Sequence, residues 1–360
     1  MTWLNYITLN SVAPVANLHQ ISDAGAGEGL MQLHPTRDTE LIVCGRANTR
    51  LNGQYLPSPV VGNGSVTPAI LVHGLFRALQ DRGFKIRVHC YQLGLDSRPD
   101  FTDAGVDEVV THHCNVGEEA TLIDNSLLPE LKRQKLAGEE HIIAESGIGG
   151  TTFATLWLRR WIEPALWFAG STQDTKKLAV KSQLLEKLWT KTAGKACDVE
   201  AYVGDLECSD PVQRAVCRLL GSDIASLNLA GGAMMFAAVV AMQSKLSDKH
   251  VEIATTRWVM ESDDACLVGK HLSHYASLLT HKTDFTLSKF DAIRMYERGY
   301  VVEGCGLGGC LTFAENHGLS QQEIINCLDA AVSPWIETRD NTLTLDASNA
   351  CPAQPSDALA

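Results

Sequence analysis

A run of small and polar residues has the composition of an anion-binding turn. It reads Ala144-Glu145-Ser146-Gly147-Ile148-Gly149-Gly150-Thr151-Thr152 and lies between a strand-like and a helix-like segment. Glycines let the backbone approach a ligand closely, and the free N–H groups of a first helical turn attract anions. No Gly-Lys-Ser/Thr follows, so a nucleoside triphosphate is not the expected ligand. A plain strand-to-helix turn with a threonine cap remains the alternative.

A second glycine-rich turn carries a glutamate. The segment Tyr300–Leu311 contains a G-x-G-x-x-G match from Gly304 to Gly309, with Glu303 directly before it. This spacing makes an NAD-dependent oxidoreductase an alternative, although only 51 residues follow Gly309, too few for the remaining strands of a dinucleotide-binding domain. We expect both glycine-rich turns to line one pocket, where Glu303 can reach a ligand. A solvated turn glutamate remains the alternative.

A third candidate combines a polar turn with a lysine. Gly170-Ser171-Thr172-Gln173-Asp174 follows the strand-like Leu166–Ala169, and Lys181 lies further along the next helical segment. A strand end, a small polar turn and a lysine can together hold a phosphate monoester. Lysines on helices are usually solvated, so a surface lysine is the alternative.

Histidine pairs are the weakest candidates for chemistry. His271 and His274 share a helix face, and His112 precedes His113, but neither pair has a carboxylate or third ligand at metal-site spacing. We therefore expect no metal site.

The elements that must position these residues alternate along the chain. Short apolar segments between helical patterns predict βαβ units and a mostly parallel sheet, that is, a three-layer, doubly wound α/β fold with a small helical subdomain from the chain termini. The predicted strands are Leu41–Cys44, Phe84–Val88, His141–Ala144, Leu166–Ala169 and Val251–Ala254. The predicted helices are Val66–Gln80, Thr151–Trp161, Lys177–Lys191, Pro211–Leu220 and Leu229–Ser244.

Composition narrows the class of partner. The 360 residues carry a net charge of −12 and are 45% hydrophobic but only 20% charged, which indicates a globular protein. An acidic chain argues against nucleic acid and anionic membranes as partners, so small molecules are expected. The longest apolar run, Leu229–Met242, has 14 residues, whereas a membrane span needs about 20.

Cysteine usage bears on the compartment. The chain has 11 cysteines without a C-x-x-C pair, an odd number that fits neither a disulfide framework nor a structural zinc site. Met1–Asn10 shows no secretory signal pattern. A cytoplasmic location is therefore expected.

Taken together, the motifs resemble the nicotinate-nucleotide:dimethylbenzimidazole phosphoribosyltransferase family, which acts in cobamide lower-ligand assembly. The family pattern G-E-M-G-I-G-N-T-T resembles Ala144–Thr152, and G-T-G-x-D-x-x-x-L-x-x-K resembles Gly170–Lys181. The D-P and G-G-x-E-I-A elements resemble Asp210–Ala225, and E-G-x-G-A resembles Glu303–Gly306. All four occur in the same order. The likeness is greater to a divergent archaeal and cyanobacterial branch, as in Tyr296–Gly304.

The resemblance implies a reaction and the residues that perform it. A 5-phosphoribosyl group would pass from nicotinate mononucleotide to 5,6-dimethylbenzimidazole or a related aromatic base, giving an α-nucleotide and nicotinate. Glu303 would be the general base and Glu145 a second carboxylate near the ribose. The residues expected to bind the phosphate and nucleotide are Gly147, Ile148, Gly149, Gly150, Thr151, Thr152, Gly170, Ser171 and Lys181. Those expected in the base pocket are Ser65, Val301 and Gly304.

Domain limits are expected from the irregular pattern at the start of the chain and the composition of its tail, and the resemblance implies the partners. Residues 1–55 would form an irregular or helical subdomain or dimerisation segment, residues 56–345 the phosphoribosyltransferase domain, and residues 346–360 a disordered tail. The enzyme would be a homodimer that needs no cofactor or metal. A nucleotide-binding regulatory paralogue without transfer activity is the alternative from a different class, and the presence of Glu303 favours the enzyme.

Overall fold

The N-terminal strand lies in the middle of a parallel sheet. The computed structural model describes residues 2–24, 28–49, 64–170 and 172–348, with side chains as far as residue 336. The strands are β1 Thr2–Val12, β2 Phe84–Leu93, β3 Glu108–Cys114, β4 Glu140–Ile148, β5 Ser226–Ala230, β6 His250–Thr255 and β7 Ser277–Thr280. They run in the order β3-β2-β1-β4-β5-β6-β7, and each neighbouring pair is parallel.

Helices cover both faces of the sheet. They are α1 His34–Cys44, α2 Pro68–Asp81, α3 Glu119–Leu122, α4 Leu128–Ala137, α5 Gly150–Trp161, α6 Thr175–Thr192, α7 Val199–Val203, α8 Pro211–Leu220, α9 Ala233–Ala241, α10 Asp263–Leu272, α11 Asp291–Arg294, α12 Leu307–Asn316 and α13 Gln321–Ser348. The helices α1, α2, α12 and α13 share one core with the sheet, and α5, α8 and α9 share the other. The predicted three-layer, doubly wound α/β fold is confirmed.

Burial on both faces explains why β1 shows no alternation of apolar and polar residues. Leu4 and Tyr6 lie in the core on the α2 side, whereas Ile7 and Leu9 lie in the core on the α5 side, and all four are fully buried. A strand with two covered faces has no polar face and therefore no period-two signal. The start of the predicted irregular or helical subdomain or dimerisation segment is thus a strand of the main sheet, and the domain limit at residue 55 stays a prediction.

The position of β1 also affects the predicted homodimer. Most of the described apolar residues between Asn5 and Met31 are buried or partly buried within the chain itself, as Leu18 and Met31 show in the core on the α5 side. Their burial therefore gives no argument for a subunit interface, and the homodimer stays a prediction. Deleting the first 30 residues cannot test it, because the deletion would remove β1 from the interior of the sheet.

The predicted strand Leu41–Cys44 is wrong. These residues form the last turn of α1, which has Pro35 in its first turn and ends at Gly45 with φ 70°. Four apolar residues fit a buried strand or the end of a buried helix equally well, so the local pattern did not decide between them.

The predicted strand Leu166–Ala169 is also wrong, because it pairs with no strand in the described chain. Side chains satisfy its backbone instead. The N–H of Trp167 donates to Asp264 Oδ2 at 2.9 Å, and Lys181 Nζ donates to the carbonyl oxygen of Ala169 at 2.7 Å. The segment is an extended connection whose backbone is held by α6 and α10.

The predicted helix from Leu229 begins later than expected. Leu229 and Ala230 end β5, Gly231 and Gly232 form a turn, and α9 begins at Ala233. The remaining predicted strands fall within β2, β4 and β6, and the remaining predicted helices correspond to α2, α5, α6 and α8.

The apolar helices of this fold are short or interrupted by polar residues. Within the described ranges, no helix has both the length and the apolar composition needed to cross a bilayer. The last helix, α13, extends to Ser348, so the predicted tail from residue 346 lies mainly outside the described residues.

Candidate functional site

A cavity opens at the carboxyl ends of the central strands. It has a volume of about 260 Å³ and reaches from the α5 side of the sheet to the α2 side. Its walls include the turn after β4, the turn after β5 and the loop before α12. Ligands of open α/β sheets bind outside the carboxyl ends of the strands, which makes this cavity the candidate active site.

Most of the residues predicted from sequence meet in this cavity. Those that line it are Glu145, Gly147, Ile148, Gly149, Thr151, Thr152, Gly170, Lys181, Val301, Glu303 and Gly304. They come from segments that are far apart in sequence, so the fold brings both predicted glycine-rich turns and the predicted lysine to one place.

Three predicted residues are placed differently. Gly150 lies behind the lining, where a Cβ atom would come within 2.0 Å of Met234 Sδ. Ser65 is fully buried outside the lining, whereas Thr67, two residues later, lines the cavity. Ser171 lies outside the described residues.

A buried lysine forms the cationic end of the cavity. Lys181 is only 3% exposed, and its Nζ donates to the carbonyl oxygen of Ala169 at 2.7 Å. Burial lowers the pKa of Lys181 to about 7, and no carboxylate in the described part of the chain raises it again. A buried ammonium without a counter-charge is costly. A bound anion would supply that charge and keep the lysine protonated.

The start of α5 faces the same end of the cavity. Gly149 precedes the helix with φ 80°, and no side chain caps it. A Cβ atom at Gly170 would lie 3.1 Å from Thr151 Oγ1 and 3.3 Å from Lys181 Nζ, so these groups surround one small space. The hydroxyl of Thr152 is buried and has no hydrogen-bond partner among the described residues. A helix N-terminus, hydroxyls and an ammonium are the groups that bind phosphate.

Glu145 reaches from the end of β4 to the start of α9. Its Oε1 accepts the N–H of Gly232 at 2.9 Å, and its Oε2 accepts the N–H of Met235 at 3.3 Å. Only a glycine fits at Gly231, because a Cβ atom there would lie 2.5 Å from Cγ and Cδ of Glu145. Burial raises the pKa of Glu145 to about 8, and the charge of Glu303 adds to this effect.

Glu303 is held by backbone donors at the start of α12. Its carboxyl oxygens accept the N–H groups of Thr256 at 2.8 Å and Gly304 at 3.0 Å, with the N–H of Gly308 at 3.3 Å. Gly308 has no room for a side chain, because a Cβ atom would lie 2.1 Å from the carbonyl carbon of Thr255. Burial raises the pKa of Glu303 to about 7, although the backbone donors oppose the shift. Such a carboxyl group is suited to proton transfer near neutral pH.

The two glutamates lie on either side of Gly232. A Cβ atom at this glycine would lie 3.8 Å from Glu145 Oε1 and 3.7 Å from Glu303 Cγ. Two close, buried carboxyl groups resist simultaneous ionisation. A positively charged ligand beside them would lower both pKa values. The predicted role of Glu145 as a negatively charged carboxylate therefore requires a cationic ligand.

The cavity has a polar wall on the α2 side that was not predicted from the sequence. His34 and Asp38 of α1 and Thr67, the N-cap of α2, all line the cavity. Asp38 is 6% exposed, with Oδ2 3.0 Å from His34 Nε2 and Oδ1 accepting the hydroxyl of Thr67 at 3.0 Å. Residues four apart share a helix face, so this pair had a sequence signal. The interpretation of the neighbouring Leu41–Cys44 as a strand hid it.

The G-x-G-x-x-G match from Gly304 to Gly309 serves packing. No strand immediately precedes it, as a dinucleotide fingerprint requires. A Cβ atom at Gly306 would lie 2.6 Å from that of Ala144, and one at Gly309 would lie 2.4 Å from that of Ala230. The glycines let α12 contact the ends of β4 and β5, so the NAD-dependent alternative loses its structural basis.

The histidine pairs contact ordinary neighbours. His271 Nε2 lies 3.0 Å from Gln243 Oε1, and His112 stacks on Tyr91 at a ring distance of 4.3 Å. Throughout the part of the chain that the structure describes, no group of three or more His, Cys, Asp or Glu side chains is placed to hold a metal ion.

The fold and the cavity define an α/β protein with a buried lysine and two carboxyl groups of raised pKa at the carboxyl ends of its strands. The chain is similar to UPF0284 proteins of archaea and cyanobacteria. It is 25% identical over 337 residues to that of Gloeothece citriformis, covering 89% of this chain and 88% of the relative. It is 25% identical over 339 residues to that of Sulfurisphaera tokodaii, covering 89% of this chain and 90% of the relative. It is 27% identical over 321 residues to that of Pyrococcus abyssi, covering 86% of this chain and 91% of the relative.

These relatives confirm the predicted likeness to archaeal and cyanobacterial proteins. No family model matches the chain. Among solved structures, CobT from Thermus thermophilus is similar with a TM-score of 0.45 and 11% identity, covering 90% of this chain and 83% of that chain.

We predict that the Glu145→Gln variant gains stability relative to the wild type as the pH rises. The folded-state pKa of about 8 exceeds the ordinary value of 4.5. The unfolded wild type therefore releases a proton that the folded protein retains, and its stability falls between these two pH values. The variant has no carboxyl group at position 145 and does not lose stability in this way. The difference between its free energy of unfolding and that of the wild type therefore rises by on the order of 3 kcal/mol from pH 5 to pH 8.

Urea unfolding at both pH values measures this difference. Comparing the two pH values removes any constant cost of placing an amide against the N–H groups of Gly232 and Met235. Glu261→Gln, at an exposed glutamate, is the control and should follow the wild type. If the free energy of unfolding changes with pH by the same amount in Glu145→Gln and in the wild type, the assigned pKa shift is contradicted.

Proposed function

We propose that the protein transfers a 5-phosphoribosyl group from nicotinate mononucleotide to an aromatic nitrogen base, 5,6-dimethylbenzimidazole or a related ring. The products are nicotinate and an α-ribazole-5′-phosphate-type nucleotide for cobamide nucleotide-loop assembly. The observation that carries the proposal is one cavity with a buried lysine at one end, which has no carboxylate partner among the described residues, and two carboxyl groups of raised pKa along it. The resemblance of four motifs to the phosphoribosyltransferase family supports the same reaction.

The 5′-phosphate binds at the lysine end. Lys181 supplies the positive charge, the start of α5 supplies backbone N–H groups, and Thr151 and Thr152 supply hydroxyls. The ammonium has no carboxylate partner in the described chain, so phosphate binding removes an existing electrostatic cost. This accounts for the choice of a nucleoside monophosphate over a nucleoside.

The ribosyl–nicotinate bond lies near the two glutamates. In nicotinate mononucleotide the ring nitrogen bonded to ribose C1 belongs to a pyridinium cation. That cation favours the ionised forms of Glu145 and Glu303, whose pKa values are raised in the empty cavity. Substrate binding therefore prepares the two carboxylates, and Glu145 stabilises the positive charge that develops at C1.

The transfer then needs a nucleophile and a proton acceptor. A ring nitrogen of the incoming base forms a bond to C1 on the face opposite to nicotinate, and the bonding pair of the old C1–N bond leaves with nicotinate. The other ring nitrogen of an imidazole-type base loses its proton to Glu303. Each step balances without a cofactor, and inversion gives the α-nucleotide.

We predict that Glu303→Gln binds nicotinate mononucleotide but loses transfer by about 10²–10⁴-fold, because an amide cannot accept the proton. In the wild type, kcat/KM should fall below pH about 7 as Glu303 becomes protonated. Chromatography of released nicotinate and new nucleotide, with a panel of aromatic bases, measures both effects.

Glu261→Gln is the control for this experiment and should retain wild-type turnover. A folded Glu303→Gln protein with near-wild-type transfer would remove Glu303 from the role of general base. If the wild type binds nicotinate mononucleotide and transfers it to no base, the proposal fails and a nucleotide-binding regulatory protein becomes the better account.

A second prediction concerns the phosphate. Lys181→Met should weaken nicotinate mononucleotide by about 10- to 100-fold and the dephosphorylated nucleoside much less, because a charged hydrogen bond contributes about 1.5–3 kcal/mol. Calorimetric titration of both ligands measures the difference. The matched control is Lys177→Met, because Lys177 lies one turn earlier on α6 and is paired with Asp23 at 2.6 Å. Equal losses for both ligands in Lys181→Met would refute the phosphate site.

A further inference from the structure

The proposed reaction leaves the polar wall on the α2 side without a role. In this wall Asp38 is a buried carboxyl group between two fixed partners, His34 and Thr67. Cys305 Sγ lies 3.8 Å from Asp38 Oδ2 and 3.7 Å from Ser146 Oγ. All five residues line the cavity.

The wall lies on the side of Glu303 where the incoming base must extend. Lys181 and the start of α5 are on one face of the sheet, whereas α1 and the start of α2 are on the other. Glu303 lies between them, at the edge formed by the strand ends. A nucleotide with its phosphate at Lys181 therefore fills the α5 side, and an incoming base that meets Glu303 occupies the α2 side.

The chain itself connects Glu303 to Asp38. Gly304 directly follows Glu303 and lies against Pro68, since a Cβ atom there would be 3.1 Å from Pro68 Cγ. Cys305 follows and contacts Asp38. Two residues span at most about 7 Å, so the Cα atom of Cys305, whose side chain contacts Asp38, lies within about 7 Å of that of Glu303, the proton acceptor.

We infer that Asp38, held by His34 and Thr67, is the specificity-determining residue of the acceptor subsite and selects aromatic bases whose far edge carries an amino or N–H donor. This inference rests on the proposed function and refines its acceptor class. It favours an amino-substituted ring, such as an aminopurine, over a ring whose edge carries methyl groups.

Hydrogen-bonding capacity is the physical reason. A carboxylate has about four acceptor positions. The hydroxyl of Thr67 uses one on Oδ1, and His34 and the thiol of Cys305 use two on Oδ2, so one position on Oδ1 remains for a donor in the cavity. A methyl group against Asp38 would displace water without replacing its hydrogen bonds, and a site built for a donor rejects an analogue that lacks one.

Equilibrium binding of two isosteric ligands tests this inference. 5-Aminobenzimidazole and 5-methylbenzimidazole differ by one NH₂ or CH₃ group, and their binding to the full-length protein requires no turnover. We expect the wild type to bind the amino compound about tenfold or more tightly than the methyl compound. Asp38→Asn, which removes the charge but keeps the shape, should reduce this preference to a few-fold.

The matched control is Asp23→Asn, because Asp23 lines the same cavity but is paired with Lys177. It should leave the preference unchanged. Equal affinities of the wild type for the two ligands, or the same preference in Asp38→Asn as in the wild type, would overturn the inference. If Asp38→Asn does not fold, the ratio of the wild type's affinities for the amino and methyl compounds still tests the inference. Preferential binding of the amino compound without transfer to any base would support the acceptor subsite while refuting the proposed reaction.

Discussion

The side chain of Glu145 occupies the space that a Cβ atom at position 231 would need. This close approach fixes the turn after β5 and lets the N–H of Gly232 bind the carboxyl group. A similar constraint holds at Gly308, whose backbone lies against the end of β6 and donates toward Glu303. Both glutamates are thus held by backbone that only glycine permits. The position of the cavity between them follows from these two contacts.

The cavity holds charges that cost stability when it is empty. Burial raises the pKa of both glutamates and lowers that of Lys181. Groups shifted in opposite directions within one cavity are complementary to a ligand that has an anionic end and a cationic centre. Nicotinate mononucleotide has this charge pattern, with a phosphate at one end and a pyridinium ring bonded to the ribose. Under the proposed function, relief of this cost on binding is the source of selectivity for that ligand.

The sequence predicted the parts of the site that depend on local pattern. The glycine runs around Gly149 and Gly304 lie in turns before helices, where strand and helix signals are legible from neighbouring residues. Lys181 was ambiguous, because whether a helical lysine is solvated or buried depends on what packs against it. Asp38 was missed for a related reason. Its partner Thr67 is 29 residues away, and α1 was not recognised as a helix.

Parts of the fold were also not predictable from local sequence pattern. β1 is buried on both faces, so no alternation of apolar and polar residues marks it as an interior strand of the sheet. The apolar segment Leu166–Ala169 was indistinguishable from a strand by composition, yet side chains of Asp264 and Lys181 take its backbone hydrogen bonds. Such outcomes depend on tertiary contacts that a single sequence does not display.

In the proposed function, one cavity binds a nucleoside monophosphate with its phosphate at Lys181 and its glycosidic bond at the two glutamates. A crystal structure of the Glu303→Gln variant with nicotinate mononucleotide tests this most directly. We expect a phosphate oxygen within about 2.7–3.0 Å of Lys181 Nζ and ribose C1 beside Glu145 and position 303. A phosphate bound outside the cavity, with Lys181 still donating only to the carbonyl oxygen of Ala169, would contradict the account.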